Sequence, residues 1–107
     1  MKVVVFFDTT RRDEVCVSLQ KKERTTVCKE GKAQDLLPVF SELLRKTKTE
    51  LSDISEIHIH TGPGSFTGLR IGCAVANALG YALNIPVNGE KVTSHPAAPI
   101  YDKKEET

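Results

Sequence analysis

The sequence predicts an α/β fold, a mixed β-sheet with helices packed on it, in the order βββαβα followed by a short last strand. Three observations carry this. The run Lys2–Asp8 is continuously apolar and rich in β-branched and aromatic residues, the pattern of a central strand buried on both faces. Two later segments alternate with a period of two, as half-buried strands do. Two others repeat their apolar residues at helical spacing.

The elements follow in chain order. After the first strand, the polar stretch Thr9–Asp13 turns the chain. Glu14–Gln20 then places Val15, Val17 and Leu19 on one side and Cys16, Ser18 and Gln20 on the other. Lys21 and Lys22 form a hairpin tip, and Glu23–Lys29 is a third, more polar strand nearer an edge. Lys32–Lys48 reads as a helix with an apolar stripe of Leu36, Leu37, Phe40, Leu43 and Leu44. Pro38 lacks an N–H, so it bends that helix or starts its regular part. Glu56–Thr61 alternates again, and Thr61–Gly64 is a glycine–proline loop. Ser65–Leu83 is the second helix, stopped by Asn84 and Pro86. Pro86–Gly89 is a short final strand. Residues 1–89 thus make one lobe, and 90–107 an irregular tail, partly disordered because it holds two prolines and ends in DKKEET.

Composition narrows the function. The chain has 107 residues, fifteen Lys and Arg against fourteen Asp and Glu, and a formal net charge of +1. A domain of this size buries roughly 65% of its unfolded surface. The near-neutral balance argues against direct nucleic-acid binding as a main role. No apolar run reaches the ~20 residues that span a bilayer, and the first residues lack a signal-peptide cleavage site. Cys16, Cys28 and Cys73 are odd in number and lack CxxC spacing. That pattern fits reduced thiols in a cytoplasmic protein better than a disulfide framework or a zinc site.

Several residues are candidates for chemistry. In Thr61–Gly72, TGPGSFTGLRIG, Gly62 and Gly64 precede a helix start, where free N–H groups attract anions. A phosphate site would use Asp8, Thr9, Gly62 and Gly64. Against it, no Lys-Ser/Thr pair follows the glycines, and Thr67 stands where GxGxxG needs glycine. A tight strand-to-helix turn explains the segment more simply. Asp8, at the tip of the first strand, could hold a metal ion or a water. The fourth strand ends in His60 and Thr61 without an acid, and Glu42 lies away from the leucine stripe. The carboxylate cluster of a two-metal nuclease is therefore incomplete. His58 and His60 share a strand face, but no acid or cysteine is placed by sequence to complete a metal site. No metal or cofactor is expected.

The second helix repeats Gly68, Gly72, Ala76 and Gly80 every four residues, with Ala74, Ala78 and Ala82 nearby. Glycine inside a helix costs about 1 kcal/mol relative to alanine, so close approach of another backbone should offset it. That backbone belongs either to the chain's own sheet or first helix, or to a partner.

The segments VVFFDTT, KAQDLLPVFSELL and ISEIHIHTGPGSFTGLRIGCAVANALGYALNIPV resemble the TsaB family, also called YeaZ, over residues 1 to about 88. GPGSFTGLRIG is the most specific part. The resemblance implies the N-terminal lobe of an actin-like ATPase, a fold related to ribonuclease H. It implies a non-catalytic subunit that binds the catalytic TsaD subunit, with TsaE, in threonylcarbamoyladenosine synthesis on tRNA. It also implies a homodimer when TsaD is absent. Carried onto this chain, the docking helices are Lys32–Lys48 and Ser65–Leu83; the contacts expected on them are Phe66, Leu69, Gly72, Ala76 and Gly80 on the second, and Leu37, Phe40 and Leu44 on the first, whose apolar stripe would equally serve as core. The family commonly has two lobes and a His near the start of the first helix, where this chain reads Gly31, Lys32, Ala33. Two alternatives stand beside this reading: a nucleotide-binding actin-like enzyme, and a self-associating module without the TsaD contact.

Overall fold

The structure, a computed structural model, describes residues 2–100. Four strands, β1 (Val3–Asp8), β2 (Glu14–Gln20), β3 (Arg24–Glu30) and β4 (Ile54–Ile59), form one sheet in the order β3-β2-β1-β4. β2 pairs antiparallel with both β1 and β3, whereas β4 pairs parallel with β1. Helix α1 (Leu36–Lys46) follows a short 3-10 turn at Ala33–Asp35, and α2 (Phe66–Leu83) follows β4. Pro38 sits in the first turn of α1, where its missing N–H would have had no intrahelical acceptor.

Both helices cover one face of the sheet. Val3, Val5 and Phe7 of β1, Val15, Val17 and Leu19 of β2, and Ile57 and Ile59 of β4 meet Leu36, Val39, Phe40 and Leu43 of α1 and Cys73 and Ala76 of α2. Phe7 and Phe40 meet edge to face at 5.2 Å, a geometry that aligns ring edge and ring face favourably. β1 is central, as expected, but it is not buried on both faces. Val4, Phe6 and Asp8 alternate outward and are only partly covered, because no helix among the described residues lies on the second face.

The expected last strand is a single parallel bridge, Ile57 with Val87. Asn88 extends it with its side chain, which accepts from Ile59 N at 2.8 Å and donates to Ile59 O at 3.1 Å. Asn88 and Gly89 both have positive φ, and Val87 and Glu90 exchange two backbone hydrogen bonds around them. That is the hairpin turn which Asn-Gly favours. Residues 90–100 contain no helix or strand but are fastened down. Asn77 on α2 exchanges two hydrogen bonds of 2.9 Å with the backbone of Ala97. The disorder expected for the tail's end concerns residues 101–107, outside the described range.

The cysteines correct the sequence reading. Cys16 and Cys28 form a disulfide, and only Cys73 is free and buried in the core. The turn between β2 and β3 takes three residues, Lys21–Glu23, so Gln20 faces Arg24 and Cys16 faces Cys28. A turn shorter by one residue would set the cysteines on opposite faces.

Candidate functional site

The glycine–proline loop and α2 build the first region of interest. Ser65 caps α2, accepting from Gly68 N at 3.3 Å, and Leu69 N donates to Ser65 O. Asn84 ends the helix in the left-handed conformation, which Asn tolerates better than most residues. The start of α2 borders an open cavity of about 480 Å³, lined by Arg11, Arg12, Lys32 and the segment 65–68. The residues of the candidate phosphate site do not gather there. Asp8 accepts from the amide and hydroxyl of Thr10, at 2.9 and 2.6 Å. Thr9 is buried and donates to Gly68 O at 2.7 Å. Gly62 lies against Leu69 and the Ile100 backbone, and Gly64 against Thr10. These contacts make a packed turn rather than a cradle. Burial alone would push the Asp8 carboxyl up; the hydroxyl and amide of Thr10, with His60 and Arg11, outweigh it and hold the carboxyl below its ordinary range.

The small-residue stripe of α2 faces inward. A Cβ on Gly68 would strike the Thr9 carbonyl, one on Gly72 the Thr9 hydroxyl, and one on Gly80 the side chain of Val87. Ala76 and Leu69 are fully buried. This corrects the expectation for part of the interface. Leu69, Gly72, Ala76 and Gly80, with Phe40 at 2% exposure, fill the chain's own core and offer no surface. Leu44 is partly buried against that core. Leu37 and Phe66 are exposed at 48% and 51%.

The outward side of α2 carries the second set of alanines. Thr67, Arg70, Ala74, Ala78 and Tyr81 lie opposite the sheet and are exposed, Tyr81 at 70%. Two alanines separated by one turn leave a flat strip, with Phe66 and Arg70 stacked at one end and Tyr81 at the other. The sequence signal was present in the second set of alanines, but either set could have been the inner one. The Cβ clashes at the glycines decide it.

Among the described residues, the second face of the sheet is open. His58 stacks on Phe6 at 5.2 Å, and the Arg24 guanidinium lies 4.1 Å above that ring. The hydroxyls of Ser18 and Thr26 share a 2.8 Å hydrogen bond. His58 and His60 are both on this side, His58 beside Glu56 and His60 beside Asp8. Glu42 pairs instead with Lys29 on the helical face, so it does not join Asp8.

Comparison with known proteins adds a family. Residues 26–98 match the family model described as TsaD: tRNA N6-adenosine threonylcarbamoyltransferase. The chain is 37% identical over 91 residues to the tRNA threonylcarbamoyladenosine biosynthesis protein TsaB of Buchnera aphidicola subsp. Baizongia pistaciae, covering 80% of this chain and 40% of that protein. It is 36% identical over 63 residues to TsaB of Escherichia coli K12, covering 59% of this chain and 27% of that protein. The solved structure of YeaZ from Pseudomonas aeruginosa superposes with a TM-score of 0.75 at 32% identity, over 81% of this chain and 42% of that one. The chain therefore spans between about a quarter and two fifths of the length of these relatives.

Proposed function

From the premise that this chain belongs to the TsaD family of tRNA N6-adenosine threonylcarbamoyltransferase, among its TsaB (YeaZ) members, we propose that it is a non-catalytic subunit docking on a TsaD-type enzyme. In that reading it supports threonylcarbamoyladenosine synthesis together with a TsaE-type component, in the cytoplasm. The chemistry on tRNA belongs to the partner. The chain itself needs neither cofactor nor direct contact with nucleic acid, in keeping with its net charge of +1.

The observation that carries the reading is the outward strip of α2. Ala74 and Ala78 are exposed and flanked by Arg70 and Tyr81. A partner helix can approach such a strip closely, with an aromatic anchor beside it. Leu37 on α1 is a further exposed apolar residue on the helical side of the sheet. No described helix is long and apolar enough to cross a membrane, so the strip is read as a protein surface. Without the partner, two copies closing strip to strip give an isologous dimer.

The test is the mass in solution of the chain alone and mixed with the TsaD-type enzyme of the same source. Wild type should form a complex. Ala74→Arg and Ala78→Arg, which place a long cation on the strip without entering the core, should weaken it by at least about tenfold, ~1.4 kcal/mol. Complex formation indifferent to both substitutions would move the interface elsewhere. A stable homodimer that never binds the enzyme would favour the self-associating module.

A further inference from the structure

The hairpin of β2 and β3 places four ligand-type residues on one patch. Glu14 faces Glu30 and Cys16 faces Cys28 across the antiparallel pair. Residues two apart along a strand share a face, so the Glu-x-Cys of β2 and the Cys-x-Glu of β3 form a square of residues, two acids and two cysteines. The square lies on the open side of the sheet, opposite the helices. Lys29, of the other parity, reaches Glu42 on α1. A Glu14 carboxylate oxygen and both sulfurs already lie within 4.8 Å of one another.

Two features make this more than a disulfide with acidic neighbours. Directly opposed like charges destabilise an antiparallel pair, and Glu14 and Glu30 are such a pair. Asp8 faces Cys16 from β1, but its carboxylate is taken up by Thr10 and does not join the pair. Among the described residues, the ion pair made here, Arg11 with Glu14, is largely exposed and contributes little. Glu30 makes no ion pair among the described residues. A dication would relieve this accumulation of negative charge. The donor set also selects among cations. Thiolates favour a soft or borderline ion over magnesium or calcium, and zinc accepts thiolate and carboxylate together.

We propose that the reduced form of the Cys16–Cys28 pair, with Glu14 and Glu30, is a binding site for a zinc-like divalent ion. The disulfide is the alternative state of the same atoms. A dithiol reductant delivers two electrons and two protons to the S–S bond and is itself oxidised to a disulfide. The incoming ion then displaces both thiol protons to solvent and is held by two thiolates and the flanking carboxylates. Cys28 is exposed, so reductant and ion both have access. Cys73, buried in the core, takes no part. This inference is independent of the docking surface on α2.

The experiment is an anaerobic titration of the full chain with Co²⁺ after phosphine reduction and desalting, followed by Zn²⁺. The reduced chain should bind one equivalent with sulfur-to-cobalt charge-transfer absorption, which Zn²⁺ then abolishes. The oxidised chain should show none. Paired Glu14→Gln and Glu30→Gln substitutions, on an exposed rim, should weaken Co²⁺ binding by at least about tenfold with unchanged circular dichroism. Cys73→Ala should keep the absorption. The proposal is overturned by a reduced chain without charge-transfer absorption, by unchanged affinity in the paired Gln variant, or by loss of the signal in Cys73→Ala.

Discussion

The hydroxyl of Thr9 occupies the space that a side chain on Gly72 would need. The same hydroxyl donates to the Gly68 carbonyl one turn earlier, so the end of β1 is joined directly to α2. This contact explains why a helix tolerates glycine there: the unfavourable propensity is offset by a closer helix–sheet approach.

Gly72→Ala should therefore destabilise the chain, although alanine is the better helix former by about 1 kcal/mol. Overpacking at such a contact costs typically 1–3 kcal/mol. Urea denaturation should show a lower midpoint, and Thr9→Ala in the same chain should recover part of the loss. A Gly72→Ala chain as stable as wild type would mean that the helix can shift outward freely.

Phe40→Ala should cost about 3–5 kcal/mol, the usual range for a buried aromatic, because it empties the space against Phe7. Its effect on binding a TsaD-type enzyme, compared at equal folded fraction, should be nil. A selective loss of binding would return Phe40 to the interface.

Asn88→Gly keeps the positive-φ backbone of the turn while removing both hydrogen bonds to Ile59. A loss of about 1–3 kcal/mol is expected for leaving these partly buried groups unpaired. Asn88→Ala should cost more, since alanine also resists the left-handed conformation. Hydrogen exchange at the Ile59 amide should accelerate in both variants.

Asp8 predicts an acid-side dependence. Burial raises its folded carboxyl, but the hydrogen bonds from Thr10, with His60 and Arg11, together hold it below the ordinary value of 3.8. Its stabilising contribution is thus complete above the unfolded value and is lost as pH falls through the lower folded one. The stability difference between wild type and Asp8→Asn, measured by denaturant titration across pH, should be constant at neutral pH and shrink below about 4. A difference that grows toward acid would contradict the Thr10 geometry.

Much of the fold could be read from periodicity. The helical repeats and the alternating strands appear within a few residues of their expected bounds, because each is written in local spacing. Register is not. Whether Cys16 meets Cys28 depends on one residue in the Lys21–Glu23 turn, and the sequence shows no glycine or Asn-Gly to mark its length. The face of α2 was equally illegible, since Gly68–Gly80 and Ala74–Ala82 offer two small-residue strips on one helix. Only the close packing of Thr9, Ile59 and Val87 assigns the inner one. The Asn88-Gly89 turn, by contrast, carried a recognisable signal that the shorter strand reading passed over.

The two margins of the sheet are guarded by different means. β3 leaves its outer hydrogen-bonding groups without a neighbouring strand, and its charged residues Arg24, Lys29 and Glu30 discourage another strand from adding to it. β4 alternates its buried Ile57 and Ile59 with Glu56 and His58, and its edge carries no lysine or arginine. There the backbone of residues 86–88 and the Asn88 carboxamide occupy the free groups. Truncation before Pro86 would uncover the edge next to the buried Ile57, converting a capped margin into a template for intermolecular strand addition.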